Sequence, residues 1–187
     1  MDLGNKQLKI GILCIGSVNK ETLRAIQNGV HKALPKTDCT ILKGAMPVPE
    51  DTYNSIRHQY NCTYILTKMN DCTKEYVADY VLGVIDVDLY VPSLNFVFGE
   101  AYSPGRAAII SLFRLRQEFY GLPSDAAMFF EHAVKEAVHE IGHATGLGHC
   151  ENRLCVMLFS NSIVDTDRKK AVFCEKCYQI IAERLRF

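Results

Sequence analysis

Apolar residues along this chain fall in short runs, separated by polar, glycine-bearing or proline-bearing breaks, and the period within each run predicts its element. Residues 7–15 are an almost continuous apolar run closed by Gly16, the pattern of a buried strand. Over 20–34 the positions Leu23, Ile26, Val30, Ala33 and Leu34 recur at helical spacing, and Pro35 stops the helix. Residues 39–42 read as a second strand, so the chain opens on a βαβ pattern, which favours a parallel pair and a right-handed crossover. Prolines and polar groups mark 46–58 as an exposed excursion. Residues 60–69 fit a helix or a strand, and 73–80 read as a helix. Residues 81–89 alternate and are rich in branched side chains, which predicts a strand. Residues 95–101 form a short extended stretch interrupted by Gly99, and 107–115 read as another strand. Ser124 is placed to cap a long helix with Asp125 in its first turn. A loop-rich tail then leads to a last helix over 175–186.

The length of 187 residues and an apolar content of 48% suffice for one well-cored domain. The 21 basic and 21 acidic residues cancel, so neither a nucleic-acid backbone nor an anionic membrane is the expected partner. The first residues lack a long apolar run behind a basic region, and no segment approaches a membrane span, so a cytoplasmic, monomeric protein is expected. In a reducing compartment, eight cysteines point to metal ligands or buried thiols rather than disulfides.

The informative segment is His139-Glu140-Ile141-Gly142-His143-Ala144-Thr145-Gly146-Leu147-Gly148-His149. On a helix, positions i and i+4 stack, so His139 and His143 can offer two imidazoles to one ion. Glu140 sits beside the first of them, where it can reach a zinc-bound water without ligating the metal and act as general base. Gly146 can take a positive φ and end the helix, letting His149 return as third ligand and leaving one position open, as catalysis requires. Ala127, Phe130, Val134, Ala137, Val138 and Ile141 share the opposite, apolar face. His132 and Glu136 lie on the histidine face but read as solvated polar residues, and His132 is two turns too far back to join the site.

Cys150, Cys155, Cys174 and Cys177 form C-x4-C and C-x2-C pairs separated by a loop, the makings of a closed four-thiolate site for a structural zinc. Buried thiols or a redox dithiol are the alternatives. The latter lacks the strand-to-helix setting that thioredoxin-like sites need. Two zinc ions per chain are therefore expected. Because successive side chains of an extended chain point to opposite sides, His149 and Cys150 would serve different metals across one peptide unit. Cys14, Cys39, Cys62 and Cys72 read as buried or free thiols.

The HExxHxxGxxH pattern resembles the metzincin clan of zinc peptidases. Cys150, Cys155, Met157, Cys174 and Cys177, together with residues 82–116, resemble its archaemetzincin family. That resemblance implies an α/β (α+β) fold with a metzincin-like mixed β-sheet, a backing helix and an active-site helix, and a methionine turn at Met157 beneath the metal. One metallopeptidase domain over 1–187 is expected, with the active-site helix in an N-terminal subdomain, 1–148, and the four-cysteine zinc site in a small C-terminal subdomain, 149–187.

Upstream, Phe96, Val97, Phe98 and Gly99 could belong to an edge strand that pairs with an extended peptide. An ordinary strand with Phe96 and Phe98 in the core has equal claim. Asp86 and Asp88 could bind a cation, but a solvated strand face is the favoured reading. The expected function is zinc-dependent hydrolysis of peptide bonds. A non-peptidase zinc amidohydrolase and a zinc-dependent binding protein without useful turnover are the alternatives, and the intact Glu140 argues against the last.

Overall fold

The structure, a computed structural model, describes residues 7–74 and 76–185. The reading of the first residues therefore lies outside it up to Lys6, as does Arg186 at the end of the last predicted helix. Among the described residues, eight strands and five α-helices follow in the order β1 (Leu8–Ile15), α1 (Lys20–Ala33), β2 (Thr37–Met46), β3 (Tyr53–Asn54), β4 (Gln59–Asn61), α2 (Cys62–Cys72), β5 (Tyr80–Ile85), β6 (Leu89–Tyr90), β7 (Gly99–Ala101), β8 (Ala107–Ser111), α3 (Ala126–Ala144), α4 (Ile163–Arg168) and α5 (Glu175–Leu185). The main sheet has the order β2-β1-β5-β8-β7, parallel except for β7, which runs antiparallel to β8 at the edge. A second, three-stranded mixed sheet is ordered β3-β4-β6. Among the described residues no helix is long and apolar enough to cross a membrane.

The central strands read as continuous apolar runs because both faces of the sheet are covered. Ile10, Ile12, Leu82, Val84, Ala108 and Ile110 pack towards α1 and α3. Their neighbours Leu13, Ile15, Val81, Ile85 and Ile109 pack with Ile65, Leu66 and Met69 of α2 on the other side. The opening βαβ unit forms as expected, with β1 and β2 parallel, although β2 runs on to Met46. Asn19 caps α1 by accepting the Glu21 N–H at 2.7 Å. The ambiguous 60–69 stretch becomes mostly α2, capped by Asn61.

Several expectations are corrected. The described residues of 73–80, which leave out residue 75, are not a helix: the Thr73 N–H bonds the Met69 carbonyl at the end of α2, and Tyr80 opens β5. Arg106 bonds the carbonyls of Tyr76 and Ala78. Asp125, not Ser124, caps α3, accepting the Met128 N–H at 2.9 Å. The expected strand over 107–115 stops at Ser111 and passes into a 3-10 turn over Phe113–Leu115.

The predicted strand over 81–89 also breaks, and the break builds the upper rim of the cleft. Asp86 and Asp88 are neither cation ligands nor a solvated face: Asp88 takes the Arg114 guanidinium through two bonds of 2.7 Å, and Asp86 takes Arg116 through bonds of 2.7 and 2.6 Å. Bidentate pairing of this kind fixes geometry as well as charge. It turns the chain out of β5 and into β6 in the second sheet. Arg57 then holds the Leu94 and Asn95 carbonyls, Val97 N–H bonds Leu89 and Ser111 N–H bonds Phe98. The stretch 95–98 is thus strapped along the sheet edge without being a strand. Because the Arg114–Asp88 side chains are mostly buried, Asp88→Asn should lower the unfolding free energy by about 1–3 kcal/mol. Chemical denaturation measures this, and a change within experimental error would show that the pair does not hold the rim.

Candidate metal centre and cleft

α3 carries the first two histidines of the motif, and its polar face is not solvated. His132, Lys135, Glu136, His139 and Glu140 are all buried, and the chain after Met157 folds back over the first three. The apolar face is the less covered at its start, where Ala127 is exposed and Phe130 and Val134 are half-buried. His132 stands apart from the motif as expected, but as a buried residue: one ring nitrogen lies 3.0 Å from the Leu115 carbonyl and the other 2.6 Å from Asp167. Glu136 accepts the Thr166 hydroxyl at 3.0 Å, and Lys169 Nζ lies 3.0 Å from the same oxygen. That Lys169 contact is close enough for an ion pair but not aligned as a hydrogen bond, which leaves the fully buried ammonium without a hydrogen-bonded acceptor among the described residues. Sequence reasoning missed Lys169 altogether. The only signal was Glu136, one helical turn before Glu140.

Gly146 ends α3 with φ +94°, its N–H returning to the His143 carbonyl and that of Leu147 to Gly142. Only a residue at ease with positive φ makes this turn without strain, and the turn brings His149 back. One ring nitrogen from each of His139, His143 and His149 lies within 4.8 Å of the others. Nδ1 of His139 is 2.7 Å from the Val156 carbonyl, and Nδ1 of His143 is 2.8 Å from the Leu147 carbonyl. A carbonyl can only accept, so both Nδ1 atoms carry the proton and both Nε2 atoms present bare lone pairs. Those two Nε2 atoms face each other at 3.1 Å. Burial, reinforced by the nearby Lys169 charge, holds His139 well below the ordinary histidine range, and burial likewise lowers His143 and His149. The rings are therefore neutral, and converging lone pairs at this distance repel unless a cation lies among them. The donor set fits zinc, which takes neutral imidazole nitrogens.

Met157 is fully buried, and its carbonyl accepts the Cys150 N–H at 2.9 Å. The loop that carries His149 is thereby tied to the segment under α3. Beyond it, the four sulfurs of Cys150, Cys155, Cys174 and Cys177 lie within 4.8 Å of one another. Backbone N–H groups already point at them: Cys174 N–H at 3.2 Å from Cys155 Sγ, and Asn152 N–H at 3.5 Å from Cys150 Sγ. Burial raises the Cys155 and Cys177 thiols, whereas at Cys174 the backbone N–H of Cys177, followed by hydrogen bonds from the neighbouring thiols, outweighs burial and lowers it. All eight cysteines are free of disulfides. Cys39 and Cys62 are buried, and burial pushes Cys39 up to about 12.

A cavity of about 350 Å³ opens beside the histidines. Phe96, Val97, Phe98 and Gly99 line it, as does Glu140. Phe98 also belongs to the core and meets Phe96 edge-on at 5.1 Å, so this stretch both lines the cavity and packs inward. The opposite wall, from Phe159 to Asn161, carried no sequence signal. Glu140 is 5% exposed, its Oε2 has no hydrogen-bond partner among the described residues, and burial pushes its carboxyl well above the usual range, with the Glu136 charge adding to the shift.

The pattern of peptidase family M54 matches residues 20–183. The chain belongs to the archaemetzincin family of zinc metallopeptidases. It is 45% identical to the archaemetzincin of Methanocaldococcus jannaschii over 183 residues, covering 95% of this chain and 94% of that one. The crystal structure of the archaemetzincin of Methanopyrus kandleri superposes with a TM-score of 0.84 at 33% identity, over 99% of this chain and 98% of that chain. A structure described as a zinc-dependent peptidase, from Methanocorpusculum labreanum, gives 0.83 at 30% identity, over 92% and 99%. As an archaemetzincin, the chain is a zinc metallopeptidase and a hydrolase, which implies a peptide or protein substrate.

Proposed function

We propose that His139, His143 and His149 hold the catalytic zinc, that Glu140 is the general base of peptide hydrolysis, and that Cys150, Cys155, Cys174 and Cys177 hold a second, structural zinc. The observation that carries the first assignment is the pair of Nε2 lone pairs facing each other at 3.1 Å, each ring oriented by a carbonyl behind it. Bound there, zinc supplies the positive charge that acidifies water and polarises a carbonyl. The chain's residues do the rest. Glu140 Oε2, which has no donor among the described residues, takes the proton of the attacking water and later delivers it to the leaving nitrogen. The Val156 and Leu147 carbonyls hold the imidazoles in the tautomer that presents Nε2. Phe96, Val97, Phe98 and Gly99 form the wall along which an extended peptide lies, and Met157 supports the floor. The free cysteines fit a reducing, cytoplasmic setting.

Metal content tests both sites at once. Protein purified without chelator should approach two zinc ions per chain by elemental analysis. Chelation should abolish cleavage of a peptide library, and added zinc should restore it. A value near one with activity lost would leave the four-cysteine site standing alone. A saturated value near zero overturns both assignments.

A further inference from the structure

Glu140 is held from one side by α3 itself, and the other side is the edge strand. There the stem of Glu140 rests on a residue with no side chain. A β-carbon built on Gly99 would lie 2.7 Å from Glu140 Cγ and 2.9 Å from Cδ, and 2.5 Å from the Ile109 carbonyl oxygen of β8. Real contacts of a β-carbon essentially never come below 3.0 Å. The glycine is not there for an unusual backbone: Gly99 is absent from the positive-φ residues, and it pairs in regular register with Ile110. It is there for space. Gly99 opens β7, whose Cα trace packs against α3. Any side chain at 99 would therefore push either the strand away from α3 or Glu140 out of its place at the cavity wall.

From this geometry we infer that Gly99 is a positioning residue for the reaction: its bare α-carbon is the seat that fixes the Glu140 side chain, and so the place of the carboxylate in the cleft. The inference rests on Glu140 as general base, but the contact itself does not. Among the described residues the carboxylate has no hydrogen-bond partner at Oε2 to aim it, so contact on the stem restricts its direction. Proteins are close-packed enough that a single added methyl here is felt. A displacement of the base by as little as 1 Å lowers the rate by up to roughly 10²-fold.

The test is a cycle of Gly99→Ala and Glu140→Ala, read first without activity. Gly99→Ala alone should lower the melting temperature by roughly 4 °C or more. In the Glu140→Ala background, where Cγ and Cδ are gone, the same substitution should cost clearly less. An equal cost in both backgrounds overturns the proposal, because the Ile109 carbonyl would then be what the methyl strikes. Should Gly99→Ala fail to fold, the double variant decides: a folded, zinc-binding double variant supports the seat, and an unfolded one overturns it. The kinetic arm uses the zinc-loaded enzyme. Gly99→Ala should keep its zinc and its KM within about twofold, yet lose kcat by roughly 10- to 100-fold, on the scale expected for a misplaced base. In a Glu140→Gln background, already without a base, Gly99→Ala should change the residual kcat little. An unchanged kcat in Gly99→Ala, or an undiminished further loss in the Gln background, sinks the positioning role. Failure of the general-base reading is separately visible, since Glu140→Gln would then be active while the melting cycle still reported on the contact.

Discussion

Glu140→Gln should lose about 10²-fold or more of turnover while keeping its zinc and its fold. The substitution is isosteric, so the stem keeps its contact with Gly99 and the cavity keeps its shape. What changes is the atom proposed to accept the proton. Glu140 Oε2 has no donor among the described residues, so no network collapses when its charge is removed. Removing a buried, unpaired carboxylate even lifts a desolvation cost. The stability of the variant should therefore match or slightly exceed that of the wild type. A factor of 10² corresponds to about 2.7 kcal/mol of transition-state stabilisation, the usual scale for a general base. The measurement is kcat/KM on any peptide the wild type cleaves, with zinc content determined on the same sample. A variant that cleaves as fast as wild type would place the base elsewhere. One that loses zinc would show that Glu140 serves the metal directly.

Cys174→Ser should have the largest effect on stability. The four sulfurs gather segments that otherwise share little core: Cys150 follows the catalytic loop, Cys155 precedes Met157, and Cys174 and Cys177 lie at the start of α5. Structural zinc contributes its binding free energy directly to folding. Losing one of four thiolates should lower the melting temperature by about 10 °C or more, equivalent to roughly 3–5 kcal/mol in a chain of this size. His143→Ala removes a proposed ligand of the open site instead. It should abolish activity at a smaller cost in stability. The two sites are joined, because Cys150 follows His149 directly and its N–H bonds the carbonyl of the buried Met157. Cys174→Ser should therefore also weaken the catalytic metal. Melting curves and zinc content of both variants decide the matter. Wild-type stability with both metals retained in Cys174→Ser would refute the four-cysteine site. Loss of one zinc with full activity would uphold that site and refute the coupling through residues 149 and 150.

The two candidate ligand clusters were legible because they are written in local spacing. His139 and His143 share a helix face by the period of the helix, Gly146 must end that helix, and the cysteine pairs stand close in sequence. The strands of the main sheet were legible because burial on both faces writes itself as an apolar run, as in β1, β5 and β8. What periodicity could not report is which polar residues find partners far along the chain. Asp86 and Asp88 alternate like a wetted strand face. They are drawn off it by Arg116 and Arg114, 30 and 26 residues away, and the strand breaks there. His132 and Glu136 look like solvent-facing helix positions until Asp167, Thr166 and Lys169 close over them. The same holds for Gly99, which reads as an interruption in a strand and is in fact the space that Glu140 occupies. Charge pairing and close packing depend on distance in space, and residues this far apart in sequence acquire that distance only when the sheet and α3 are assembled.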